Sequence, residues 1–251
     1  MSTTTSLQDP DLEFDNGSFD AAAFAAQTLS SWQALAAVID HTLLKPEATR
    51  EQVEGLCAEA ARYRFACAMV NPAWASVAVS QLAGTGIPVG VVIGFPLGAS
   101  LVSTLRQEAA ALTRMGAREL DMVLPIGELK SGNHQAVERI IHSVATVTHR
   151  NGALLKVILE TCLLTMEEKL RASEIAIQAG ADFIKTSTGF STSGATTADI
   201  ALMRGVAGAR CGVKASGGIR TLDQVRVLLE AGATRIGASA SVAIVRELGA
   251  E

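Results

Sequence analysis

The stretch "ALLKVILETCLLTMEEKLRASEIAIQAGADFIKTS", residues 153–187, decides the fold. It opens on a short run rich in Leu, Val and Ile, the composition of a strand buried on both faces. Thr165 then suits a helix start, and "TMEEKLRASEIAIQAG" carries its apolar residues at helical spacing. Gly180 stops that helix, because a residue without Cβ takes the left-handed terminal conformation at little cost. A second apolar run, "ADFIKTS", follows at 181–187. Strand, helix and strand in this order make a βαβ unit with parallel strands.

The pattern continues in both directions. "AVIDHTLL" (37–44), "FACAMV" (65–70), "IPVGVVIGF" (87–95) and "RELDMVLPI" (118–126) precede it, and "CGVKAS" (211–216) and "TRIGAS" (234–239) follow. Helical periodicity fills the gaps, as in "TREQVEGLCAEAARY" and "TLRQEAAALTRMG", with further stops at Gly116, Gly152 and Gly232. Eight strands alternating with helices predict an α/β fold of the closed (β/α)8 TIM-barrel kind. The rival, an open doubly wound sheet, lacks its G-x-G-x-x-G fingerprint after the first strand. Residues 18–37, "SFDAAAFAAQTLSSWQALAA", read as an extra N-terminal helix, and the polar, acidic residues 1–17 as poorly ordered. The expected division is an extension over 1–30, partly disordered or a capping helix, and one barrel domain over 31–251.

Composition narrows the function. The net charge of −4 comes without a basic block, so no nucleic-acid partner is expected. No apolar run reaches the length of a membrane span, and the first residues lack the charged and apolar regions of a signal peptide. Four scattered cysteines, Cys57, Cys67, Cys162 and Cys211, suit free thiols in a reducing cytoplasm. His134, His142 and His149 fall along one helix face and read as solvated; His41 stands alone. Neither set offers the convergent ligands of a zinc site.

A parallel barrel strand is buried on both sides, so each charge within one needs a reason. Alternation places Glu119 with Asp121, and Lys156 with Glu160, on common faces, while Lys185 and Lys214 lie one βα repeat apart on neighbouring strands. Strand ends at the C-terminal mouth of a barrel are where catalytic groups gather. Two ammonium groups this close repel, and burial adds a desolvation cost, so both effects favour a neutral, nucleophilic amine. The plainer reading is mutual pairing: three lysines stand against Glu119, Asp121 and Glu160. Apolar residues would be the more stable choice for a purely structural core, which favours a functional site. A second cluster, "VKASGGIRT" (213–221) with "RIGASAS" (235–241), gathers small residues where barrels bind phosphate.

Together these stretches resemble the deoxyribose-phosphate aldolase family. The resemblance is carried by "IDHTLLKPEAT" (39–49), "VNP" (70–72), "VIGFPLG" (92–98), "ELDMVLPIG" (119–127), "LKVILET" (155–161), "FIKTSTGF" (183–190), "GVKASGGIRT" (212–221) and "RIGASAS" (235–241). It spans about residues 38–248, in the family's order. It implies a class I, metal-free and cofactor-free aldolase that reversibly cleaves 2-deoxy-D-ribose 5-phosphate to D-glyceraldehyde 3-phosphate and acetaldehyde. By position Lys185 matches the Schiff-base lysine, Lys214 the lysine that lowers its pKa, and Asp121 the acid that moves protons, usually through a water. Lys156 matches the lysine supporting Asp121. Gly189, Gly217, Gly218, Gly237 and Ser239 match phosphate contacts, and Asp40, Thr42 and Leu44 match first-strand residues lining the substrate pocket. The partners implied are sugar phosphates and aldehydes, with a cytoplasmic homo-oligomer, a dimer or tetramer.

Two departures stand out. Met69 replaces a cysteine that many relatives carry before V-N-P, and the C-terminal "VRELGAE" has no tyrosine to assist proton transfer; the chain's single tyrosine is Tyr63. Three rival functions remain open at this level: a Schiff-base aldolase for another sugar phosphate, a phosphosugar-binding protein, and an isomerase working through Asp121 and Glu160.

Overall fold

The structure is a computed structural model, and it describes residues 19–251. Two short helices come first, α1 (Ala21–Thr28) and α2 (Trp32–Ala36). Then come β1 (Ile39–Leu43), α3 (Arg50–Tyr63), β2 (Cys67–Val70), α4 (Ala75–Gln81), β3 (Val89–Ile93) and α5 (Val102–Met115). The middle of the chain gives β4 (Glu119–Val123), α6 (Ile126–Lys130), α7 (His134–Arg150), β5 (Leu154–Ile158), α8 (Met166–Gln178) and β6 (Phe183–Lys185). The last part gives α9 (Thr197–Ala207), β7 (Gly212–Ser216), α10 (Leu222–Glu230), β8 (Arg235–Ala238) and α11 (Ser241–Glu247).

The eight strands pair in chain order, all parallel, and β8 returns to β1 with Asp40 opposite Gly237. The barrel is therefore closed. Alternation splits each strand between two cores. Outward residues such as Val70, Val91, Leu120, Val157, Ile184, Val213 and Ile236 pack in the large apolar layer shared with the helices. Inward, the β1–β3 side holds a small apolar plug of Leu44, Cys67, Met69 and Val92 with Phe95 against it. The rest of the interior holds the charged side chains, with Val123 and Ile158 on the same face two residues along β4 and β5.

The helix expected over 18–37 is in fact two. Ser31 is fully extended (φ −158°, ψ 157°), and its hydroxyl accepts a hydrogen bond from the Ala34 amide, capping α2. A residue in that conformation cannot continue α1. Against the barrel, α1 packs on α10 and α2 on α11, while Phe19 lies over the Arg204 guanidinium at 4.2 Å. The expectation of disorder over 1–17 lies outside the described residues. Gly116, Gly152, Gly180 and Gly232 all take positive φ just past their helices, as anticipated.

Candidate active site

The charged interior is one connected network. Lys156, reaching in from β5, lies 2.6 Å from Glu119, 2.7 Å from Asp121 Oδ1 and 3.3 Å from Asp40. Lys185, at the end of β6, donates to Asp121 Oδ2 at 2.7 Å. Lys214, its register partner on β7, donates to the same oxygen at 2.7 Å and also to Asp40. Arg235, at the start of β8, closes the far end with contacts of 2.6 Å to Asp40 and 3.4 Å to Glu119. Four cations thus face three carboxylates. The network reaches electrical balance when one cation gives up its proton.

Local electrostatics select Lys185. Burial pushes its ammonium down, Asp121 opposes that, and Lys214 adds repulsion; the amine settles at about 8 against an ordinary 10.5. Lys156 goes the other way: burial would lower it, but Asp121, Asp40 and Glu119 together hold it well above 10.5. Burial alone would raise the Asp121 carboxyl; Lys156, Lys185 and Lys214 overcome that and hold it well below the carboxylate range. Asp40 behaves likewise under Lys156, Lys214 and Arg235. Asp121 is therefore an anchored, ionised acceptor.

Above the network, at the C-terminal mouth of the barrel, opens a cavity of about 370 Å³. Among the described residues Lys185 is the member of the network that lines it. Thr42 and Leu44 line its β1 side with Ser239 beside them after β8, and Gly189, Gly217 and Gly218 line the rim after β6 and β7. Cross-strand bonds fix that rim. Thr186 Oγ1 donates to the Ser216 carbonyl and accepts from the Ser216 amide, and Ser216 Oγ donates to the Ser187 carbonyl at 2.6 Å. Gly217 sits at φ +89°, and a Cβ there would come within 2.9 Å of Gly194 Cα, so only glycine fits.

Several residues differ from their sequence-based placement. Asp40 does not line the cavity: it is fully buried one layer below, its oxygens taken by Lys156, Lys214 and Arg235. Gly237 does line the cavity, but its immediate service is to Lys214, whose Cε would be 3.0 Å from an added Cβ. Glu160 is not part of the ion-pair balance. The strand ends at Ile158, Glu160 turns into the left-handed region (φ 56°, ψ 61°), and its carboxylate receives Thr188 instead. Arg235 escapes sequence reasoning because the first residue of an apolar run borders a loop and reads as solvent-facing. Lys45, Arg220, Thr188 and Phe190 also line the cavity unannounced, although all four lie in "IDHTLLKPEAT", "VKASGGIRT" or "FIKTSTGF". Met69 is buried in the apolar plug, and Tyr63 is committed elsewhere, its hydroxyl donating to the Glu251 backbone oxygen.

One group among the described residues could converge on a metal ion, Asp40, Cys67 and Glu119. Its carboxylates already hold Lys156 and Arg235, and burial, with Glu119 and Asp40 adding repulsion, pushes the Cys67 thiol well above its ordinary value. Cationic neighbours and a protonated thiol make a poor metal site. His134, His142 and His149 are exposed on α7, His149 pairing with Asp182 at 2.9 Å. No helix among the described residues is long and apolar enough to cross a membrane.

Fold and site together define a parallel-barrel protein whose buried lysine–carboxylate centre opens on a mouth cavity through one lysine. The description "DeoC/LacD family aldolase" matches residues 34–247. The chain is 56% identical over 211 residues to the deoxyribose-phosphate aldolase of Listeria monocytogenes, covering 84% of this chain and 94% of that one. The Bacillus mycoides deoxyribose-phosphate aldolase is 53% identical with the same coverage. The tetrameric deoxyribose phosphate aldolase structure from Aeropyrum pernix superposes with a TM-score of 0.84 at 34% identity, over 91% of this chain and 96% of that one. The chain belongs to the DeoC/LacD aldolase family.

Proposed function

We propose that this chain is a class I aldolase that reversibly cleaves 2-deoxy-D-ribose 5-phosphate to D-glyceraldehyde 3-phosphate and acetaldehyde through a Schiff base on Lys185. One observation carries the reading: among the described residues Lys185 alone leads from the charged network into the cavity, and its pKa is lowered to about 8. At pH 7.5 such an amine is neutral in roughly a quarter of molecules, against about one in a thousand at 10.5. The neutral amine attacks C1, the carbinolamine loses water, and the resulting imine draws electrons from the C2–C3 bond as the C3 hydroxyl gives up its proton. That bond starts at the carbon next to the imine, so its electrons can flow into the C=N group. The enamine on C1 and C2 is then protonated and hydrolysed to acetaldehyde. Asp121 holds Lys185 and Lys214 in place and accepts protons in passing, handing them on because its carboxyl is too acidic to keep them.

Small residues at Gly189, Gly217, Gly218 and Ser239 support a phosphate at the β7–β8 rim, with Lys45 and Arg220 supplying positive charge nearby. Relatives named as deoxyribose-phosphate aldolases support the substrate, and the tetrameric relative supports a homo-oligomer. Residues 1–30 are read as an extension to one barrel domain over 31–251, in a cytoplasmic enzyme working with small sugar phosphates and aldehydes and with no metal or other cofactor.

The test is borohydride reduction with acetaldehyde, followed by peptide mass mapping. The expected adduct is on Lys185, undiminished in EDTA, and Lys185→Leu abolishes both adduct and turnover. An unmodified Lys185 at saturating aldehyde would sink the imine mechanism, and loss of the adduct with EDTA would bring back a metal.

A further inference from the structure

Glu160 is a buried carboxylate that the chemistry above leaves unused. It is 2% exposed, and it is one of two non-glycine residues with positive φ among those described. Strained backbone of this kind persists where surrounding contacts over-determine it. Most of those contacts involve one neighbour, Thr188. The Thr188 amide donates to both carboxylate oxygens at 3.3 Å, and the Thr188 hydroxyl donates to Oε2. Cys162 Sγ adds a longer approach to Oε1 at 3.9 Å.

Thr188 itself lines the cavity. A hydroxyl has one proton and two lone pairs. The proton goes to Glu160, and one lone pair accepts the Phe190 amide at 3.1 Å. What is left for a ligand is a single acceptor. Thr188 follows the imine lysine by three residues and precedes Gly189, at the phosphate rim. A substrate joined to Lys185 at C1 and held by its phosphate at C5 therefore passes Thr188 with its middle carbons. C2 bears no hydroxyl, and the C3 oxygen takes part in bond cleavage. The C4 hydroxyl lies next to the phosphate-bearing carbon.

We propose that Glu160 is a positioning residue for substrate choice: by taking the Thr188 proton it turns the remaining lone pair of Thr188 into the cavity, where it accepts a hydrogen bond from the C4 hydroxyl. The inference rests on the aldolase reading. In the synthetic direction that hydroxyl is already present on the acceptor aldehyde, as its 2-hydroxyl. A site built to receive a donor rejects a ligand without one, because its own buried group is left unpaired.

The experiment compares kcat/KM for two acceptors with acetaldehyde, D-glyceraldehyde 3-phosphate and 3-hydroxypropanal phosphate, which lacks the 2-hydroxyl. Wild type favours the hydroxylated acceptor. Thr188→Val and Glu160→Gln each reduce that preference by about tenfold, through the hydroxylated acceptor alone, as loss of one hydrogen bond to a buried acceptor predicts. Thr188→Ser, which keeps the hydroxyl, restores the preference to within about twofold. Borohydride trapping of acetaldehyde on Lys185 stays intact in all three, which reports a folded and imine-competent site. An unchanged preference, or an equal loss with both acceptors, overturns the proposal. Failure of wild type to trap acetaldehyde would instead remove the aldolase reading, and this inference with it.

Discussion

Lys185 and Lys214 are register partners with the same side chain and nearly the same burial, yet their surroundings differ in one respect. Lys214 has two carboxylates, Asp40 and Asp121, while Lys185 has Asp121 alone and shares it. The less compensated amine is the one whose proton is easiest to lose. Removing Lys214 by Lys214→Leu takes away repulsion on Lys185 and frees Asp121 to hold it more tightly. Both changes raise the Lys185 pKa, so the pH–rate profile should move to more alkaline pH. A rise from about 8 to about 9 would leave about tenfold less neutral amine at pH 7. A profile of kcat/KM against pH checks this, and an unmoved profile would show that Lys214 does not tune Lys185. At this scale, strand parity put Glu119 with Asp121, and repeat spacing put Lys185 and Lys214 on neighbouring strands; the structure joins Asp121 to Lys156, Lys185 and Lys214. Parity failed at Glu160, where the strand had already ended and the backbone turned left-handed, and it could not reveal that Asp40 faces down into the network.

Among elements, α8 was legible at its start, where Thr165 makes a reciprocal capping box with Glu168. Thr49 with Gln52 and Thr221 with Gln224 make the same box at α3 and α10, starts the sequence reading did not single out. The break between α1 and α2 was illegible because "TLSSW" contains neither glycine nor proline, and only the extended Ser31 ends the run. The cap of α10 bears on the site as well. Gln224 Oε1 accepts from the amides of Thr221 and Arg220, tying the rim loop after β7 to the helix that follows. Thr221→Ala removes the hydroxyl that accepts the Gln224 amide and should cost about 1 kcal/mol. In a domain of this size that lowers Tm by roughly 2–4 °C, readable by thermal denaturation. A larger fall would mean that Thr221 supports more than the helix end.

For the whole molecule, the barrel's inner core is a set of paired charges on one side and a small apolar plug on the other, so its stability is tied to pH. Asp40 and Asp121 have folded pKa values below the unfolded 3.8, so between those values the unfolded chain binds more protons than the folded one. Their contribution is complete above about pH 4 and is lost as pH falls through the folded values. On the alkaline side two lysines act with opposite signs in successive pH windows. Lys156, raised above 10.5, contributes stability below that pH and loses it as pH climbs through its folded value. Lys185, lowered to about 8, is a burden while protonated and relieves it between pH 8 and 10.5. Acid therefore destabilises, while mild alkali stabilises until pH passes 10.5 and Lys156 begins to lose its contribution. Tm should rise between about pH 8 and 10 and fall steeply below about pH 4. Asp121→Asn should start from a lower Tm at pH 7, since it leaves three ammonium groups without that carboxylate, and should lose less on acidification, since it has one carboxyl fewer to protonate. An acid fall as steep in the variant as in wild type would place the sensitivity outside the charged core.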